Sequence, residues 1–190
     1  MKSHPLMILE TLDRHLRRPC ELYVYGRSAL ALGYPGSPAA MHATMDVDAI
    51  LPARDLAAIE ANDDFWAAQE ATNRELADTG LYFTHLFEEK QVILGRDWLG
   101  RVVPLPSFVF INLRLFRPAT EDLVLTKMMR VDPQDREDIE FLLKQNDFDV
   151  GRFSALIAQA VIPPVPEIND AFEKNLRWLA PRALGLTHSP

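Results

Sequence analysis

The sequence predicts an α/β (α+β) fold: a mixed β-sheet core flanked by helices, followed by an all-helical C-terminal part. Three observations carry this expectation. Short apolar runs bounded by Gly and Pro alternate with helical periodicities as far as Pro118. Met45–Leu51 is an uninterrupted strand pattern ended by Pro52. Beyond Pro118 only the helical period remains.

The elements follow in order. Leu9, Leu12 and Leu16 share one face of a helix over Pro5–Leu16, which breaks at Pro19. Glu21–Tyr25 reads as a strand stopped by Gly26, Ser28–Leu32 as the first turns of a helix, and Gly33–Pro38 as a loop. After the strand at Met45–Leu51, Arg54–Leu76 is Ala-rich and helical, with a break at Asn62–Asp63 and a stop at Gly80. Leu81–Phe87 returns to a strand, Gln91–Leu94 forms another, and Phe108–Phe116 alternates with Val109, Ile111, Leu113 and Leu115 on one face. Thr120–Arg130 is a helix. Asp132 then caps, and Pro133 opens, a second helix reaching Gln145. A third runs over Val150–Ala160, and Pro163, Pro164 and Pro166 make a stiff linker to a last amphipathic helix over Ala171–Leu179. The expected organisation is a core with its N-terminal helix in residues 1–117 and a helical region in residues 118–190 packed on it.

Composition narrows the function classes. With 190 residues and 48% hydrophobic content the chain has enough apolar material for a core and too much for disorder. The net charge of −7, with acids scattered along the chain, argues against the broad basic face of a general nucleic-acid binder. A nucleic-acid substrate held by a few local Arg and Lys residues stays compatible. Cys20 is the only cysteine, so an intrachain disulfide is excluded, and beside Leu22 and Val24 it reads as a small core residue. No apolar run approaches the ~18 residues of a membrane span, and the first residues carry no signal-peptide pattern, so a cytoplasmic location is expected. His4, His15, His42 and His188 show no metal-ligand spacing.

The chemistry concentrates in Gly26–Leu32 (GRSALAL) and Thr44–Leu51 (TMDVDAIL). Alternate side chains of a strand share a face, so Asp46 and Asp48 point one way and Val47 the other. Two adjacent carboxylates repel unless a cation joins them, and Mg2+ takes carboxylate oxygens while completing its shell with water and phosphate oxygens. A Gly-x-Ser turn after a strand lets backbone amides at a helix start face an anion, with the Ser28 hydroxyl as a further donor. Later, Asp135 and Asp138 fall on the same helical face as Ile139 and Leu142, where Lys127 or Arg130 can partner them. Two readings of that cluster stand together: an ion pair that sets a helical hairpin, or a Lys127 that touches phosphate while Asp138 orients it.

In this order the motifs resemble the DNA polymerase beta-like nucleotidyltransferase superfamily, and more narrowly its small bacterial branch that includes the toxins of toxin–antitoxin systems. Gly26, Arg27 and Ser28 match the Gly-Gly-Ser or Gly-Ser turn, and Met45, Asp46, Val47 and Asp48 match the hydrophobic–Asp–hydrophobic–Asp strand. EDLVLTKMMR with Lys127 and QDREDIEFLL with Asp135 and Asp138 resemble the later lysine and acidic helices of the toxin branch. The resemblance covers Glu21–Leu143. It implies transfer of a nucleoside monophosphate from an NTP to an acceptor (an RNA end, a protein hydroxyl or a small molecule). Asp46 and Asp48 would bind Mg2+, Gly26, Arg27 and Ser28 would take the triphosphate, Lys127 and Asp138 would serve the nucleotide, and an antitoxin-like protein would be a partner. Arg27 stands where a second glycine is usual. The third carboxylate has no clean match: the strand Leu81–Phe87 offers His85, which shares strand parity with Phe83 and Phe87, with Glu88 and Glu89 beyond it. Imidazole is a poorer ligand for Mg2+ than carboxylate, so a His85 base would favour Mn2+. The alternative is a catalytically degenerate member of the fold that binds a nucleotide or a partner protein.

Overall fold

A computed structural model of the chain describes residues 3–105 and 108–183, the side chains of His85 and Ala183 aside. In chain order the elements are α1 (His4–His15), β1 (Cys20–Tyr25), α2 (Gly26–Gly33), α3 (Ala39–His42), β2 (Asp46–Leu51), α4 (Leu56–Glu60), α5 (Asp63–Leu76) and β3 (Tyr82–Glu88). There follow β4 (Leu94–Gly95), β5 (Val103–Pro104), β6 (Leu113–Arg117), α6 (Thr120–Lys127), α7 (Pro133–Leu142), α8 (Val150–Ile157), β7 (Ala160–Val161) and α9 (Pro166–Ala183). Two compact units result, one of Met1–Glu88 with Val102–Arg117, the other of Glu89–Arg101 with Pro118–Pro190. No helix of the described residues is long and apolar enough to cross a membrane.

The first unit is built on a mixed five-stranded sheet of order β3-β2-β1-β6-β5. β1 runs antiparallel to β2 and parallel to β6, while β2 and β3 are parallel and β5 and β6 antiparallel. Helices α1, α2 and α5 pack on its strands. Ile8, Leu9, Leu12, Val24, Leu30, Val47 and Phe65 form the sealed centre of this core, and removal of their apolar surface from water is its main stabilisation. Local chemistry sets the boundaries. The Asn62 side chain accepts from the Phe65 amide at 3.1 Å and caps α5, at the break expected there. Gly80 closes the following turn in the left-handed region, at φ 73°.

The strand expected over Phe108–Phe116 forms only as Leu113–Arg117, and its one-face assignment fails: Val109 and Ile111 are exposed whereas Leu113 and Leu115 are buried. The cause lies in α1. The buried Asp13 carboxylate accepts backbone N–H bonds from Ile111 at 2.8 Å, Asn112 at 2.7 Å and Leu113 at 2.9 Å. These donors are held by a carboxylate, and the ladder begins only where they end.

The second unit is helical, as expected, with one exception: β7 pairs antiparallel with β4, Leu94 opposite Val161. Leu94–Gly95 replaces the strand expected at Gln91–Leu94, where Glu89–Gln91 forms a 3-10 turn. α9 begins at Pro166, so that proline is a first helical residue rather than linker, its fixed φ being suited to a helix start. Asp132 caps α7 by accepting from the Gln134 amide at 2.8 Å, and Asp149 caps α8 from the Arg152 amide at 2.6 Å. α6 is buried along its whole length, including its charged residues, each of which is paired. Glu121 accepts from Arg152 at 2.8 Å and from the Asp149 amide at 2.8 Å. Asp122 accepts from the Gly95 amide at 2.9 Å and from Arg101 at 3.0 Å. Burial pushes the Asp122 carboxyl above the usual carboxylate range, against the pull of Arg101 and the Gly95 amide.

Candidate functional site

β1 ends on Tyr25 and the chain turns sharply at Gly26, whose φ of 64° lies in the left-handed region that a Cβ disfavours. The turn delivers α2, whose N-cap residue Tyr25 offers its side chain to none of the first amides. β2 runs back antiparallel beside β1, with Asp48 opposite Tyr25. A Cβ placed on Gly26 would lie 3.5 Å from Asp48 Oδ2, which measures how closely the turn approaches that carboxylate. Along β2 the strand alternation holds: Asp46 and Asp48 are half-buried and Val47 between them is fully buried.

Side chains around the acids fix them. Thr44 Oγ1 donates to Asp46 Oδ1 at 2.9 Å. Thr84 Oγ1 bonds Asp48 Oδ1 and also donates to the Val47 carbonyl at 2.8 Å. Ser28, expected as a phosphate donor, is buried, and its hydroxyl donates to the Asp46 carbonyl at 2.7 Å, tying the start of α2 to β2. Arg27 is half-buried in the first turn of α2.

Thr84 is the residue that sequence reasoning missed. Val47 pairs with Phe83 and Ala49 with Leu86, so Thr84 and His85 of β3 stand against the single residue Asp48. This bulge overturns the parity read from the sequence. Phe83 pairs with Val47, whereas Phe87 pairs with Ile50 and meets Tyr25 edge-on at 5.7 Å, on the face of Asp48. His85 lies on β3, and its side chain is outside the described residues. A bulge has no local signature in a run of Tyr, Phe, Thr, His and Leu, so nothing in the sequence could have singled out Thr84.

The second unit gathers the other expected residues into one buried cluster. Lys127 Nζ lies 3.1 Å from Asp135 Oδ1 and 2.7 Å from Asp138 Oδ2. Arg130 meets the second oxygen of Asp135 at 2.9 Å. Asp138 is fully buried and Lys127 nearly so. Chemically this is a salt-bridged brace between α6 and α7.

The carboxylate pair has the donor chemistry of a Mg2+ site. Hard oxygen ligands from one or two carboxylates, with the rest of the shell left to water and phosphate, is how that ion is usually held. Among the described residues no group of three or more His, Cys, Asp or Glu side chains gathers to make a fuller cage.

Comparison with known proteins gives a match that covers most of the chain. The family described as "Nucleotidyltransferase of unknown function (DUF6036)" matches residues 7–179. No curated protein and no solved structure matches.

Proposed function

The chain belongs to this nucleotidyltransferase family, and we propose that it is a metal-dependent enzyme moving a nucleoside monophosphate from an NTP to an acceptor, with release of pyrophosphate. The observation that carries the reading is the approach of the Gly26 turn to Asp48, 3.5 Å from a Cβ position to Oδ2. It joins a helix start, suited to phosphate, to a carboxylate pair suited to a divalent cation.

In this reading Asp46 and Asp48 hold Mg2+, or Mn2+ in its place, and the Thr44 and Thr84 hydroxyls keep the carboxylates in orientation. When bound, the ion offsets charge on the transferring phosphoryl group. Backbone amides of the Gly26–Ser28 turn and the Arg27 guanidinium take the triphosphate. Ser28 acts through the turn, because its hydroxyl is committed to the Asp46 carbonyl. Lys127 and Asp138 are left out of the site, since their mutual bonding and burial account for both. The acceptor is an RNA end, a protein hydroxyl or a small molecule, and a toxin-type role with an antitoxin-like partner protein fits the motif order.

A second reading, a nucleotide-binding module without transfer, is favoured by one observation. Among the described side chains the one that β3 sets on Asp48 is that of Thr84, which neither ligates a hard cation as a carboxylate does nor accepts a proton near neutral pH. Incubation with Mg2+ and each labelled NTP, with and without total RNA, separates the two. Transfer predicts label on an acceptor together with pyrophosphate. Binding alone predicts retained NTP and neither product.

A further inference from the structure

We infer that Tyr82 is the platform on which the acceptor's base stacks, so that the acceptor is a nucleoside hydroxyl at a nucleic-acid end or on a free nucleotide. The inference rests on the transfer reading above. It starts from the sheet order, in which β1 and its Gly26 turn lie on one side of β2 and β3 lies on the other. Phosphoryl transfer proceeds with the attacking and leaving oxygens roughly in line through phosphorus. A triphosphate seated at the Gly26–Ser28 turn puts pyrophosphate on the β1 side. The acceptor therefore enters from β3.

Tyr82 is what β3 presents there. It pairs with Asp46 in the parallel register and so shares the face of that carboxylate, and its amide bonds the Met45 carbonyl at 3.1 Å. The opposite-face pair, Val47 and Phe83, is buried, yet Tyr82 remains 44% exposed and Met45 42% exposed. A large aromatic left in water on the face of the two carboxylates contributes little to the core. A flat π-system is what such a ring receives well, through base–aromatic stacking. An extended peptide acceptor would instead call for a row of backbone partners, and on the outer edge of β3 the Phe83 amide and carbonyl are already bonded by Asn73 and the Thr84 carbonyl by Gln69. The step balances without a further reagent: the acceptor oxygen bonds the α-phosphorus, the bond to the β-phosphate bridge breaks, pyrophosphate leaves, and the acceptor proton passes to water.

The test uses an RNA oligonucleotide ending in 2-aminopurine and, in parallel, 2-aminopurine ribonucleotide, each titrated with full-length protein, Mg2+ and an α,β-methylene NTP. Stacking on Tyr82 predicts quenching that survives Tyr82→Phe. Tyr82→Ala should abolish it and weaken oligonucleotide binding about 5- to 100-fold, with NTP affinity unchanged. Quenching of the oligonucleotide alone assigns an RNA end, and equal quenching of the free nucleotide assigns a small acceptor. Unchanged quenching and affinity in Tyr82→Ala overturn the assignment. So does a loss of NTP affinity instead, which would give the ring to the donor base. So does transfer to protein that Tyr82→Ala leaves intact. Repeating the oligonucleotide arm without NTP keeps it decisive if NTP fails to bind, an outcome that counts against the transfer reading and not against Tyr82.

Discussion

Replacing Lys127 with Met removes an ammonium of similar length from the middle of the α6–α7 brace. Asp138, fully buried, loses the Lys127 ammonium at 2.7 Å, whereas Asp135 keeps Arg130 at 2.9 Å. The penalty therefore falls chiefly on one carboxylate. Breaking a buried pair by removing one member costs about 3–5 kcal/mol, because a buried charge loses the cation that offset its desolvation. At about 2–4 °C per kcal/mol for a chain of this size, the midpoint should fall by roughly 6–20 °C. Urea unfolding followed by circular dichroism measures the loss, and Lys127→Met/Asp138→Leu should recover most of it because no buried charge is then stranded. A loss below about 1 kcal/mol, or a double variant no better than the single one, would refute the brace. If Lys127→Met kept its stability and lost NTP binding, the ammonium would serve phosphate after all.

The remaining predictions test other parts of the fold. Asp13→Ala leaves the Ile111, Asn112 and Leu113 amides without their acceptor and should cost about 2–5 kcal/mol in urea unfolding, with Asp13→Asn intermediate because it keeps an acceptor oxygen; equal stability of Asp13→Ala would detach α1 from the start of β6. Burial, with Glu21 and Asp64 adding, pushes the Cys20 thiol up to about 11. Native alkylation should therefore rise about tenfold per pH unit from 8 to 10 without levelling, and a plateau near pH 9 would mean an ordinary thiol. Because the folded state holds this proton more tightly than the unfolded chain, the stability that Cys20 contributes is full below the ordinary thiol range and is lost as pH rises towards 11. Gly26→Ala should cost about 1–2 kcal/mol from the left-handed backbone and should weaken NTP binding, read by melting with and without Mg2+ and NTP; full binding in this variant would mean that the turn is not part of the site.

Much of the fold was legible because its signals are local. The Asp132–Pro133 pair, the Asn62 break and Gly80 each act on amides or torsions within a few residues, and each ends or starts a helix where expected. The Asp46–Val47–Asp48 alternation is a property of one strand and survived folding. What escaped depends on distant partners. The shortened β6 reflects Asp13, about a hundred residues away along the chain. β4 and β7 are two-residue strands that exist only through each other. The commitment of the Ser28 hydroxyl to Asp46 follows from how tightly α2 docks, and Thr84 reaches Asp48 only because β3 bulges against β2. The Lys127 cluster lay between these cases: helical spacing brought the charges to one face, and only the packed hairpin could show that they satisfy one another.

The central claim is that Asp46 and Asp48, beside the Gly26 turn, form a site for a nucleotide with its metal. A thermal shift of the full chain with Mg2+ and each NTP tests it most directly. Binding to the folded state should stabilise it by about 2.7 kcal/mol at a hundredfold excess over the dissociation constant, a rise of roughly 5–10 °C for a chain of this size. The account predicts that rise in the parent, its loss when Mg2+ is chelated, and none in Asp46→Ala/Asp48→Ala. An equal rise in the double variant, or none in the parent with any NTP, would contradict it.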